Sequence, residues 1–225
     1  MTQHHQLRLT YFDTPGRAEP VRVALFIAGL PFEDRRLKFP EFAALKEQGA
    51  FPLGSVPVLE IDGRPMVQTG AILRYVARLA QARAALEGTR RPEVEELYPS
   101  DPRAAFVVDS AVDTFNDTVA HALTPSMFER DMEKKLEMRR AFVAGPFARA
   151  GKYVEGLIAE GPGPFLTGPA LTIADIVLGQ AVQQYRSGLL DGITEETLAP
   201  SPLLRRLGDA YAAHPSIQAY AQRPR

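Results

Sequence analysis

In the stretch LRLTYFDTPGRAEPVRVAL, residues 7–25, Tyr11 closes an alternating apolar run just before a proline–glycine turn. A phenol at a strand end can pack against the sheet edge or donate a hydrogen bond to a ligand, and tyrosine alone leaves both open. Gln68-Thr69 stands before the helical pattern AILRYVARLA, which places Thr69 near a helix N-terminus. Free N–H groups and the positive dipole end suit a carboxylate there, while a threonine at such a place equally reads as a helix cap. A third cluster lies in DSAVDTFNDTVAHA, residues 109–122, with Asp109, Asp113, Asn116 and Asp117 spaced so that most share one helical face. By itself this is a solvated acidic face. The four histidines show no metal-ligand spacing, and His4 and His5 read as tail residues. With no cysteine, the chain has no disulfide, no thiolate metal site and no thiol nucleophile of its own.

Elements able to hold these residues follow from periodicity. Leu7, Leu9 and Tyr11 alternate as in a strand; Val21, Ala24, Leu25 and Ala28 then repeat at helical spacing until Gly29 offers a C-cap. A second strand is expected over 32–37, and PEFAALKEQG, residues 40–49, reads as a short helix or irregular loop. VPVLEIDGRPMVQ is a hairpin turning at Asp62-Gly63, followed by the helix TGAILRYVARLAQA. The order βαβ-ββα implies a small mixed sheet with helices against it. After it, GTRRPEVEELYPSDPR is charged, proline-rich and aperiodic, so residues 86–103 are expected to form a linker. Beyond the linker the pattern is helical over 104–123, 129–159, 173–190 and 203–222, with EGPGPFLTGP as a breaker and Thr172/Asp175 as a capping box.

Bulk properties narrow the partners. A chain of 225 residues can form one large domain or two of moderate size, and the change in periodicity favours two. With 26 Lys plus Arg against 27 Asp plus Glu and a pI near 6.4, nothing electrostatic points to nucleic acid or an anionic membrane surface. No apolar run approaches the roughly 20 residues of a membrane span, and the start MTQHHQLRL lacks the basic-then-apolar order of a signal peptide. A cytoplasmic location is the expectation.

Taken together, YFDTPGRAEPVR, GSVPVLEIDG, QTGAILRYVAR and LTIADI, in this order and spacing, resemble a cytosolic glutathione transferase, closest to the sigma-like group. The resemblance covers both halves of the chain. It implies a thioredoxin-like N-terminal domain over 1–85 with a mixed four-stranded sheet, and an all-α C-terminal domain over 104–225 that lines the second-substrate pocket. Glutathione would be the co-substrate, with no metal, and a small hydrophobic electrophile or peroxide the second partner.

Roles follow residue by residue from that resemblance. Tyr11 would donate its hydroxyl to the glutathione sulfur, whose thiol titrates near a pH of roughly 8.5 when free, and so favour the thiolate; Arg17 would add positive potential. Pro57 would be cis, letting the Val56 backbone pair with the cysteinyl part of the ligand. Gln68 and Thr69 would hold the γ-glutamyl carboxylate. Phe42 and Lys46 stand where the family has tryptophan and lysine against the glycine carboxylate; Phe42 lacks the indole N–H. Ser55 replaces the glutamine usual in sigma-like members, which together with the extra residues around EQGAFPL alters the glycine end. Phe12 would line the apolar half with the helix beginning near residue 104. Asp117 would cross a two-fold homodimer interface to the partner's ligand. Some sigma-like prostaglandin synthases bind a divalent ion with three aspartates, but Asn116 removes one charge here and no metal is expected. Asp175 is assigned to folding. Two alternatives remain: a glutathione-dependent isomerase acting on a prostaglandin-like or other lipid substrate, and a non-catalytic ligand-binding or structural member.

Overall fold

The computed structural model describes residues 5–89, 91, 94 and 96–223 of the chain, which divides into two compact units, Met1–Glu95 and Glu96–Arg225. His4 and the linker residues Arg90, Pro92, Glu93 and Glu95 lie outside the described residues.

The first unit runs β1 (Leu7–Phe12), α1 (Glu19–Ala28), β2 (Glu33–Leu37), α2 (Phe39–Glu47), β3 (Val58–Ile61), β4 (Arg64–Met66) and α3 (Thr69–Glu87). Its sheet has the order β2-β1-β3-β4, with β1 parallel to β2 and antiparallel to β3, and β3 antiparallel to β4. This is the thioredoxin-like arrangement. Leu9, Leu59, Val21, Leu25, Ile72, Leu73 and Val76 are buried in its core. A smaller cluster of Leu37, Phe51 and Val58, with Phe42, Leu45 and Val56 against it, joins α2 to the sheet. The hairpin turns at Asp62 (φ 50°) and Gly63 (φ 79°), both left-handed as a tight turn matched to strand twist requires. Asp62 also accepts from the Gln6 N–H at 2.9 Å and lies 2.6 Å from the His5 ring, so His5 is tied to the turn rather than part of a loose tail. PEFAALKEQG resolves as a helix rather than an irregular loop, its first turn carrying Pro40 where the missing N–H costs nothing.

The second unit is helical: α4 (Pro102–Asp113), α5 (His121–Phe128), α6 (Met132–Phe142), α7 (Ala148–Glu160), α8 (Ile173–Arg186), α9 (Pro202–Ala213) and α10 (Pro215–Gln222). Three of the four expected helices are interrupted. A π-helical turn, Thr114–Ala120, joins α4 to α5, and another, Val143–Phe147, joins α6 to α7 around Pro146, which has no N–H to give to the usual carbonyl. The helix expected over 203–222 breaks at His214, held at φ −66°, ψ 131° because the residue before Pro215 is excluded from the helical region. The remaining helix stops at Arg186, short of residue 190.

Helix α8 is the axis of this unit. Ile173, Ala174, Ile176, Val177, Leu178, Ala181, Val182 and Tyr185 are all buried. It meets α9 through two glycines: a Cβ on Gly179 would stand 2.2 Å from the Tyr211 ring, and one on Gly208 2.3 Å from Val182. Its start is the capping box read from LTIADI. The fully buried Asp175 carboxylate accepts from the Leu166 N–H at 2.8 Å, the Thr172 N–H at 2.8 Å and the Thr172 hydroxyl at 2.6 Å, which pins the preceding GPFLTGP loop to the helix. Burial raises the Asp175 pKa to about 6 against the lowering effect of these donors.

Replacing Asp175 by Ala strands three buried donors and is expected to cost about 3 kcal/mol or more, read from the denaturant midpoint. The folded carboxyl holds its proton to about pH 6 and the unfolded one only to its ordinary 3.8. Its contribution is therefore full below the lower value and lost as pH rises through the upper one. The stability gap between wild type and Asp175→Ala should widen on going from neutral pH to mildly acidic pH; a gap that narrows would contradict this assignment.

Candidate functional site

Tyr11 is buried at the C-terminal end of β1, beside Arg36 of β2 in register. Its hydroxyl oxygen accepts the Arg17 N–H at 3.1 Å. That bond occupies a lone pair of the oxygen and leaves the O–H proton for another acceptor. Gly16 makes the approach possible. It sits at φ 42°, and a Cβ built on it would stand 2.5 Å from the Tyr11 hydroxyl. The short turn Gly16–Ala18 thus carries both the N–H on the phenol and the half-buried Arg17 side chain.

Beside the phenol runs an aromatic row. Phe12 lies edge-on to Tyr11 at 5.3 Å, stacks on Phe39 at 4.7 Å and meets Phe42 at 5.0 Å; Phe42 in turn stacks on Phe51 at 5.3 Å. Phe42 is therefore tied into the core cluster with Phe51 and Val58, while Phe39 is 60% exposed. Sequence reasoning missed Phe39. The signal was its place three residues before Phe42, which puts both on one face of α2. Lys46 is exposed with its ammonium 6.0 Å from the Phe42 ring centre, and Ser55 is exposed on the loop leading to β3.

The Val56–Pro57 bond is cis, as expected, and Pro57 is buried at the head of β3. The pairing of β1 with β3 reaches Thr10↔Val58, the residue just after Pro57. Helix α3 then differs from the expected cap. Thr69 is its buried first residue, and Gln68 holds the cap position without a side-chain capping bond. Gln68 is at φ 74°, ψ 108°, a conformation that costs a non-glycine residue on the order of 1–3 kcal/mol. Its carbonyl accepts from Ile72 at 2.9 Å. The cap of this 19-residue helix supplies no side-chain acceptor to its first N–H groups. Tyr11, Phe12, Arg17, Val56, Pro57, Gln68 and Thr69 all belong to the first unit.

Asp117 belongs to the second unit and is exposed on the π turn. Asp109 and Asp113 stand four residues apart in α4 and so share one helical face, while Asn116 and Asp117 fall in the π turn that follows. Asp109 accepts the Tyr98 hydroxyl at 2.8 Å, and the half-buried Asn116 Nδ2 has no hydrogen-bond partner among the described residues. Among the described residues, no group of three or more His, Asp or Glu side chains is placed to hold a metal ion, and no helix is long and apolar enough to cross a membrane.

The strand-end phenol, the cis-proline at the head of an antiparallel strand and the positive-φ residue before α3 all belong to a thioredoxin-like unit, which is followed by an all-helical unit. Comparison with known proteins identifies the family. Residues 7–78 match the glutathione S-transferase N-terminal domain and residues 116–224 the glutathione S-transferase C-terminal domain. Glutathione S-transferase 1 of Ascaris suum is 31% identical over 192 residues, 83% of each chain. Glutathione S-transferase 4 of Caenorhabditis elegans is 31% identical over 196 residues, 85% of this chain and 86% of its own. In fold, the prostaglandin synthase D of Nilaparvata lugens superposes with a TM-score of 0.76 at 24% identity, over 98% of this chain and 99% of its own. The chain belongs to the glutathione S-transferase family.

Gly16→Ala should test the approach of the turn to the phenol. The added methyl must push Tyr11 or the turn away at a positive-φ position, with an expected loss of about 1–3 kcal/mol in chemical denaturation. A fully stable Gly16→Ala protein would show that the turn is not held against Tyr11.

Proposed function

We propose that this chain is a tyrosine-type, sigma-like glutathione transferase. It binds glutathione across the sheet edge of its first unit and ionises the ligand's thiol for attack on a small hydrophobic electrophile. The observation that carries this is the Tyr11 hydroxyl, which accepts the Arg17 N–H and so has its own proton to give. Donated to the ligand sulfur, that proton stabilises the thiolate and lowers the thiol's pKa toward neutrality, with Arg17 adding positive potential. The nucleophile is the ligand's, consistent with a chain without cysteine.

The remaining residues orient the peptide. The backbone of Val56, ahead of Pro57, pairs with the cysteinyl segment. The open start of α3 at Gln68 and Thr69 receives the γ-glutamyl carboxylate, the dipole end supplying the complementary charge. The exposed Lys46 offers a cation to the glycine carboxylate, and Ser55 borders the same end; Phe42 contributes by holding α2 rather than by hydrogen bonding. Phe12 bounds the apolar half. In a two-fold homodimer, Asp117 of one subunit reaches the ligand ammonium in the other. Attack by the thiolate on an aromatic halide forms a C–S bond and expels halide; on a hydroperoxide it forms an S–O bond and releases the alcohol. A cytoplasmic detoxifying role fits this chemistry.

Tyr11→Phe keeps the ring and removes the proton donor. The apparent pKa of bound glutathione should rise by about one unit or more, and turnover of a generic aromatic halide near neutral pH should fall about tenfold to a hundredfold, with glutathione affinity little changed. Full turnover in Tyr11→Phe would remove Tyr11 from the mechanism. Glutathione binding with no turnover of either a halide or a hydroperoxide by wild type would make the chain a carrier.

A further inference from the structure

Arg22 lies between Val21 and Val23 on the apolar helix α1, and its side chain is fully buried, at 0% exposure. A charge so placed persists only when its donors are satisfied, and here they converge from two sides. On one side its Nε donates to both Asp34 oxygens at 3.0 and 3.1 Å, and its Nη1 to Glu19 at 3.1 Å. On the other, Nη1 donates to the carbonyls of Thr14 at 2.9 Å and Pro15 at 3.4 Å, and Nη2 to that of Phe12 at 3.4 Å. The guanidinium carbon is also 5.9 Å from the centre of the Tyr11 ring. Asp34 is shared with Arg36, whose Nε and Nη2 reach it at 2.9 and 2.8 Å, and whose Nη1 holds Asp13 at 2.9 Å. Glu19, Arg22, Asp34, Arg36 and Asp13 thus form one ionic chain that runs from α1 through β2 back to the loop after Tyr11.

Every backbone carbonyl that Arg22 holds belongs to the segment joining Tyr11 to Gly16. The position of this segment decides where the Arg17 N–H stands relative to the Tyr11 oxygen. We propose that Arg22 is a positioning residue for thiol ionisation: it clamps the Phe12–Pro15 loop so that the Arg17 N–H meets the Tyr11 hydroxyl and the phenol proton faces the ligand sulfur. Arginine is required because its planar fork reaches the Asp34 carboxylate, Glu19 and the loop carbonyls together; a lysine ammonium cannot span them. This rests on the proposed role of Tyr11, so the test includes a readout that needs no glutathione.

In Arg22→Lys, the hydrogen exchange of the Arg17 amide, followed by NMR in ligand-free protein, should accelerate about tenfold or more. The ultraviolet absorbance of bound glutathione thiolate should titrate about one pH unit higher than in wild type, with kcat reduced about tenfold below that pH and the KM for glutathione within about twofold. Asp34→Asn, which keeps the shape and removes one charge of the clamp, should move both readouts in the same direction by less, and it supplies them if Arg22→Lys does not fold. A variant that melts earlier yet keeps wild-type Arg17 exchange and thiol titration would reduce Arg22 to a core residue and overturn the proposal. Faster Arg17 exchange combined with no glutathione thiolate in wild type would leave the clamp standing and remove the thiol chemistry assigned to Tyr11.

Discussion

The hydrogen bond from the Arg17 N–H to the Tyr11 hydroxyl sets the geometry of the candidate site. A phenol oxygen that already accepts one bond is fixed in position, and its O–H can then be directed outward. Making this bond requires the chain to turn back sharply within six residues of the strand. The left-handed Gly16, the turn Gly16–Ala18 and the carbonyls drawn onto Arg22 are the means. The cis bond before Pro57 and the positive φ of Gln68 stand at the two other chain segments of the candidate site. The strain at Gln68 persists only where the surrounding core over-determines the backbone. The packed sheet of the first unit supplies that core.

The buried charges of the two units serve the same end, which is to hold loops. Arg22 gathers the loop after β1. Asp175 gathers the GPFLTGP segment before α8. Arg139, 3% exposed, donates to the Asp191 carbonyl at 2.7 Å and to Ser126 at 3.3 Å, tying the loop after α8 to α5 and α6. In each case an ionic group with several partners replaces a regular ladder where the backbone leaves helix or strand, so removal of the ion leaves buried polar atoms unsatisfied. These are structural costs tied to loop position, distinct from the apolar packing that holds the helices and strands themselves.

Much of this was legible in the residue pattern. Period-two alternation gave β1, Asp62-Gly63 gave the hairpin, and Thr172 with Asp175 gave the start of α8, because each depends on neighbours within a few residues. Family resemblance carried the cis bond before Pro57. Tertiary effects were not legible: Phe42 turned inward onto Phe51 while Phe39 remained exposed, and the helix expected over 104–123 is interrupted by a π turn from Thr114. Nothing in the residue pattern singled out Arg22.

Local order along the chain, meaning element type, turns, caps and the absence of any cysteine, was determined by the sequence alone, since these follow from side-chain shape and short-range hydrogen bonding. The packed structure decided which aromatic ring faces outward, which acidic groups find partners and which arginine is stripped of water. Those outcomes depend on competition among residues distant in sequence for the same buried space and the same donors, and that competition exists only once the chain has folded.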